Sequence, residues 1–239
     1  MLDSEVQELA DRIASMLLAY AAHGLATSSM SGMGEITLRD GLVAAAAAAG
    51  ANQSQSWIIA REIQPQGWLD SAVDIYIKSK TSHGNIREVG GVELKWWRRD
   101  DAGNASNRRR DLVKDFIRAA SLFTQVNDFA IVALLSTDVS WSKTTNTQGS
   151  DAQVMSLLSG SGSQRWNIKN MSSCKAIQGS VRYLKGKVEI PNAFHSKLRS
   201  KYSLSFSSGH LAFARVWTVK RVPNSRIIPE DELDALGKS

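Results

Sequence analysis

Residues 129–136, Phe-Ala-Ile-Val-Ala-Leu-Leu-Ser, leave folding the least choice of any part of this sequence. The segment has strand length and is apolar until its last residue. An extended chain sends alternate side chains to opposite faces, so a strand that is apolar at every position must be covered on both. That calls for a sheet with helices on either side, an α/β arrangement. The sequence supplies such helices. Residues 3–22 carry Val6, Leu9, Ala10, Ile13, Met16, Leu17 and Tyr20 at helical spacing. Residues 38–49 read as an alanine-rich helix ended by Gly50, and residues 108–123 show a stripe of Leu112, Phe116, Ile117, Ala120 and Phe123.

Three further strands are expected between the second and third helices. Residues 56–63 end at Pro65 and Gly67. Residues 72–77 alternate strictly, with Val73, Ile75 and Ile77 on one face and Ala72, Asp74 and Tyr76 on the other. Residues 91–97 place Val92, Leu94 and Trp96 on one face and Glu93, Lys95 and Trp97 on the opposite one. The polar link between the last two strands, with His83-Gly84-Asn85, reads as a hairpin tip. The order across residues 38–136 is thus helix, three strands, helix, strand. Residues 137–163 are rich in Ser, Thr, Gly, Asn and Gln and read as a long loop or flap. Beyond it, strands are expected at 166–168, 181–184, 187–190 and 211–219, a short helix at 193–201 and a helical turn near 229–233. The expected organisation is one domain. An N-terminal helix and loop (1–37) lead into the core (38–136), the loop (137–163) follows, and a basic C-terminal part (164–239) completes the sheet.

Charge is distributed unevenly. The net charge is +6, yet residues 1–60 carry six acids and two bases, whereas residues 165–221 carry twelve Lys and Arg against the single acid Glu189. Such asymmetry suggests a surface that meets a polyanion. The single cysteine, Cys174, excludes an internal disulfide and a cysteine-rich zinc site. No stretch is long and apolar enough for a membrane span. The opening Met1-Leu2-Asp3-Ser4-Glu5 is acidic and helical rather than leader-like, so a cytoplasmic protein is expected.

Residues two apart on a strand share a face, so Glu93 and Lys95 sit side by side, and a hairpin can bring Asp74 beside Glu93. Two carboxylates and an ammonium gathered on a sheet face call for a bound cation. Hard oxygen donors without Cys or His favour Mg2+ or Mn2+. Here the chain resembles the PD-(D/E)XK nucleases, the restriction-endonuclease-like fold. The resemblance rests on Val73-Asp74-Ile75-Tyr76-Ile77, on Val92-Glu93-Leu94-Lys95-Trp96-Trp97 and on the element order of residues 38–136. It implies a mixed sheet flanked by helices and hydrolysis of phosphodiester bonds, with DNA the expected substrate. It implies Asp74 and Glu93 as metal ligands, joined by the Leu94 carbonyl, and Lys95 as the group that positions and activates the attacking water. Val73 stands where the family's proline would be. The family often has a further acid, for which Glu62 is the first candidate and Glu35, Glu5 and Glu8 are others.

Basic residues around the motif fit a nucleic-acid surface. Arg98 and Arg99 follow it directly, and Arg108, Arg109 and Arg110 open the next helix, where free N–H groups attract phosphate. Pairing with Asp100, Asp101 and Asp111 is the plainer alternative. Lys197, Arg199 and Lys201, interleaved with Tyr202 and Phe206, suggest a track along a nucleic-acid backbone. A homodimer would supply two centres for two strands. Other chemistries find no support. The four histidines (23, 83, 195, 210) have no ligand spacing, and neither a nucleophile elbow nor a phosphate-binding glycine loop occurs. The alternatives to a nuclease are a non-catalytic nucleic-acid-binding protein of the same fold and a protein-interaction or inhibitor module.

Overall fold

The computed structural model describes residues 3–27, 34–51, 56–80, 83–97, 104–122, 128–205, 209 and 211–238. Two helices, α1 (Asp3–Ala26) and α2 (Glu35–Gly50), precede the strands β1 (Ser56–Ile63), β2 (Val73–Lys80) and β3 (Ile86–Trp97). Then come α3 (Ala105–Leu122), β4 (Phe129–Thr137), α4 (Asp138–Thr145), α5 (Ala152–Ser159) and β5 (Ser163–Asn167). The chain ends with α6 (Lys175–Leu184), β6 (Ala193–Ser205), β7 (Leu211–Arg221) and α7 (Glu230–Lys238). The order helix, three strands, helix, strand is present as read.

Among the described residues, seven strands join one sheet in the order β1-β2-β3-β4-β7-β6-β5. β3 and β4 run parallel, and every other neighbouring pair is antiparallel. α3 is the crossover that makes the parallel step possible, which lays it over β3. The chain is therefore α/β, with a mixed sheet flanked by helices.

β4 is covered on both faces, as its composition requires. Phe129, Ile131, Ala133 and Leu135 pack with α1 and α2, together with Ile75, Ile77, Val92, Leu94 and Trp96. Ala130, Val132 and Leu134 face the opposite core, which α3 to α7 supply. The two layers differ in character. The α1/α2 side is mainly aliphatic, rich in alanine from α2, with Trp96 and Phe129 as its buried aromatics. The other holds an aromatic stack in which Trp166 lies between Phe116 and Phe194 and donates to Ser196 Oγ at 2.8 Å. Trp166 and Trp217 are thus core residues.

The C-terminal half departs from expectation. Residues 137–163 are not a loop throughout. Thr137 Oγ1 accepts from the Ser140 N–H and caps α4, while Val154, Met155 and Leu158 bury one side of α5. Residues 181–184 belong to a helix, because Ala176, Ile177, Ser180, Val181 and Leu184 form its buried stripe. Residues 193–201 are strand, not helix. A bulge between Leu198 and Ser200 breaks the alternation that would have revealed it. Among the described residues, no helix is long and apolar enough to cross a membrane.

Candidate active site

β2 and β3 pair with Ile75 opposite Val92 and Tyr76 opposite Gly91, so one step further the register brings Asp74 level with Glu93. There the Leu94 N–H donates to Asp74 Oδ2 at 2.7 Å. In an extended strand a residue's N–H and C=O point to the same side, so the Leu94 carbonyl also heads toward Asp74. Glu93 and Lys95 follow each other on the α3 side of β3, opposite Val92, Leu94 and Trp96. Asp74, Glu93 and Lys95 are thereby brought to one end of the sheet.

Each is met by a side chain the sequence reading did not single out. Arg39 of α2 places Nη2 2.7 Å from Asp74 Oδ1. Arg118 of α3 places Nη2 3.2 Å from Glu93 Oε1, and the same guanidinium donates to the Ala72 carbonyl. Asp115, fully buried one turn earlier, lies 3.4 Å from Lys95 Nζ and 3.5 Å from Arg118 Nη1. Helix spacing could have found Asp115, because it interrupts the apolar stripe between Leu112 and Phe116. The arginines left no local signal.

The network sets the protonation states. Burial pushes the Glu93 carboxyl well above the ordinary range, and the Asp115 and Asp74 carboxylates add to this against the pull of Arg118 and Lys95. Burial also raises Asp115, opposed by Lys95 and Arg118. The Asp115 carboxylate drives Lys95 the other way from a buried lysine's usual behaviour, upward, so its ammonium stays charged.

Glu93 Oε1 is buried without a hydrogen bond, since the Arg118 contact is close but misdirected. An orphaned carboxylate oxygen beside Asp74 and the Leu94 carbonyl is a hard-donor set that fits a small divalent cation. Among the described residues, however, no group of three or more His, Cys, Asp or Glu side chains gathers in metal-binding fashion. Glu62 does not enlarge the set. Its exposed carboxylate pairs with Arg39 Nη1 at 2.5 Å, and its backbone is left-handed at φ 51°. Glu35 stands closer to the site and accepts from the Trp96 N–H at 3.2 Å. Glu5 and Glu8 lie on α1, where Glu8 pairs with Arg12.

A cleft of about 330 Å³ opens beside Lys95, lined by Glu35, Trp97, Asn104, Arg108 and Lys114 among others. The N-terminal end of α3 reaches it through Asn107 and Arg108, and Asn104 just before the helix also lines it. The other basic residues are dispersed. Arg109 turns inward to Asp151 Oδ2 and the Thr144 carbonyl, each at 3.0 Å, and braces α4 and α5. Arg110 lies along Gly179 and pairs with Asp111 at 3.5 Å. Arg199 is held by Asp3 and Thr218. The β6 bulge puts Lys197, opposite Thr218, and Lys201, opposite the inward-facing Arg215, on different faces, so the three do not form one track. Arg98 and Arg99 lie outside the described residues. Comparison with models of protein families, with curated proteins and with solved structures found no match to this chain.

Proposed function

We propose that this chain is a metal-dependent nuclease with a restriction-endonuclease-like core, hydrolysing phosphodiester bonds with DNA as its substrate. The observation that carries the reading is the register of β2 and β3, which levels Asp74 with Glu93 and sets Lys95 next on the same strand face. Asp74, Glu93 and the Leu94 carbonyl would hold a magnesium or manganese ion. Such an ion, when bound, polarises the phosphate and offsets charge in the transition state. Lys95, kept cationic by Asp115, serves as a hydrogen-bond donor in this reading. Its ammonium donates hydrogen bonds, orienting the attacking water and stabilising charge that develops on phosphoryl oxygens. Asp115 is a positioning residue. The positive end of α3 and Arg108, bordering the cleft, attract the phosphates that flank the cut.

A second reading, a nucleic-acid-binding protein without catalysis, is favoured by one observation. Asp74, Glu93 and Lys95 are all neutralised internally, by Arg39, Arg118 and Asp115. Incubation with circular, linear and single-stranded DNA, with magnesium or with EDTA, separates the two. The nuclease reading expects cleavage with magnesium alone and a fall of roughly a hundredfold or more in Asp74→Asn, Glu93→Gln and Lys95→Met. DNA that is bound but left intact by the wild type under every condition would establish the second reading instead.

A further inference from the structure

We propose that the exposed ring of Tyr183, bracketed by Lys114 and Lys187, is a stacking platform for a single strand of nucleic acid leaving the cleft beside Lys95. The proposal rests on reading that cleft as the nuclease centre, and it names the form of the substrate. Lys114 connects the two places. It lines the cleft together with Lys95, and its ammonium lies 4.7 Å from the centre of the Tyr183 ring. On the same ring, the Lys187 ammonium stands 3.9 Å from the centre. Tyr183 is 52% exposed and takes no part in the buried stripe of α6. Leu69, 61% exposed, lies beside Lys187, whose carbonyl accepts from the Leu69 N–H at 2.8 Å. Two of the large apolar side chains that stand exposed among the described residues therefore lie next to Lys187, and Lys114 joins this patch to the polar cleft.

The chemistry of this patch selects its occupant. An exposed aromatic ring offers a base a stacking surface whatever its sequence once the ammonium groups lying over it give way, and those groups can then meet the phosphates on either side. A duplex keeps its base faces covered by their neighbours, so only an unpaired strand can use the ring. The lysines remain available for this. Exposed cation–π contacts are weak, and Lys114 also pairs with Asp111, a partly exposed carboxylate, at 3.6 Å.

The test is fluorescence anisotropy in EDTA, with a labelled oligothymidylate and a labelled mixed-sequence duplex. Tyr183→Ala should weaken the single strand about tenfold and change duplex affinity less than twofold. Tyr183→Phe should bind as the wild type does, and Lys187→Ala should fall between. Unchanged single-strand affinity in Tyr183→Ala, equal losses on both ligands, or no single-strand binding by the wild type would each overturn the platform. Binding in EDTA does not depend on cleavage. A wild type that binds the strand through Tyr183 yet cuts nothing with magnesium would remove the nuclease reading and leave the platform standing. A wild type that cuts DNA while Tyr183→Ala binds normally would do the reverse.

Discussion

The role given to Lys95 depends on Asp115 holding its charge, and a double-mutant cycle of Lys95→Met with Asp115→Asn measures that interaction directly. At 3.4 Å and an effective dielectric constant of about 20, the attraction is about 5 kcal/mol. The Lys95 side chain is 21% exposed, so water screens part of this, and a coupling of about 2–4 kcal/mol is expected. Asp115→Asn alone should be the more damaging change. It leaves Lys95 and Arg118 short of their shared carboxylate, whereas methionine at position 95 fills the space of the lysine stem. Urea unfolding of the four proteins in EDTA at pH 8 and low salt gives the cycle, and NMR titration of the Lys95 ammonium gives its protonation. A coupling below about 1 kcal/mol, the value typical of exposed pairs, would refute the argument. Lys95 would then lack the charge that opposes its burial, burial would pull its ammonium downward, and a base role would return.

Other outcomes follow from the same network and from packing. Glu93 and Asp115 bind protons more tightly in the fold than in the unfolded chain, so in EDTA the protein should lose stability as pH rises above 4.5, the ordinary Glu93 value. Glu93→Gln should flatten that slope in urea midpoints, and a midpoint that climbs over this range would contradict the buried-acid assignment. The depressed carboxyls Asp3 and Glu232 act in the opposite sense, but only below their ordinary values of 3.8 and 4.5. Arg109→Ala should cost about 2–3 kcal/mol of stability through lost contacts to Asp151 and Thr144 while leaving the salt dependence of DNA affinity unchanged; a shallower salt slope would return Arg109 to the binding surface. Gly90→Ala should destabilise by about 1–3 kcal/mol, because a Cβ there would come within 2.0 Å of the Phe129 ring; a neutral effect in thermal melts would mean that β3 and β4 pair in another register.

The core of the fold was legible because its periodicities are clean. The alternation of residues 72–77 and 91–97 assigned both faces of β2 and β3, and the apolar run at 129–136 announced a doubly covered strand. Legibility failed where tertiary contacts decide. Val181-Arg182-Tyr183-Leu184 is strand-like in composition, but its partners one turn back, Ile177 and Ser180, make it helix. α4 and α5 were hidden by polar composition, although Val154, Met155 and Leu158 carry a short helical pattern. In the candidate site, Asp74, Glu93 and Lys95 could be read from strand spacing alone. Their counter-ions could not, because Arg39 and Arg118 reach them from separate helices through the fold, and nothing near either arginine in sequence marks the destination. The likeness in motif and element order to the restriction-endonuclease-like family remains part of the proposal, resting on those residues.

Gly41 lies two positions beyond Arg39, at the crossing of α1 and α2, where an added methyl would meet Met16 and Tyr20 at 2.4 and 2.7 Å. That close approach sets how near α2 comes to α1, and α2 is the helix that brings Glu35 to the Trp96 N–H and Arg39 to Asp74. A larger residue at this crossing must displace the Met16 and Tyr20 side chains or the helix itself, and α2 is the element that carries Arg39 to Asp74. The packing of the alanine-lined layer and the counter-ion of Asp74 therefore share one helix.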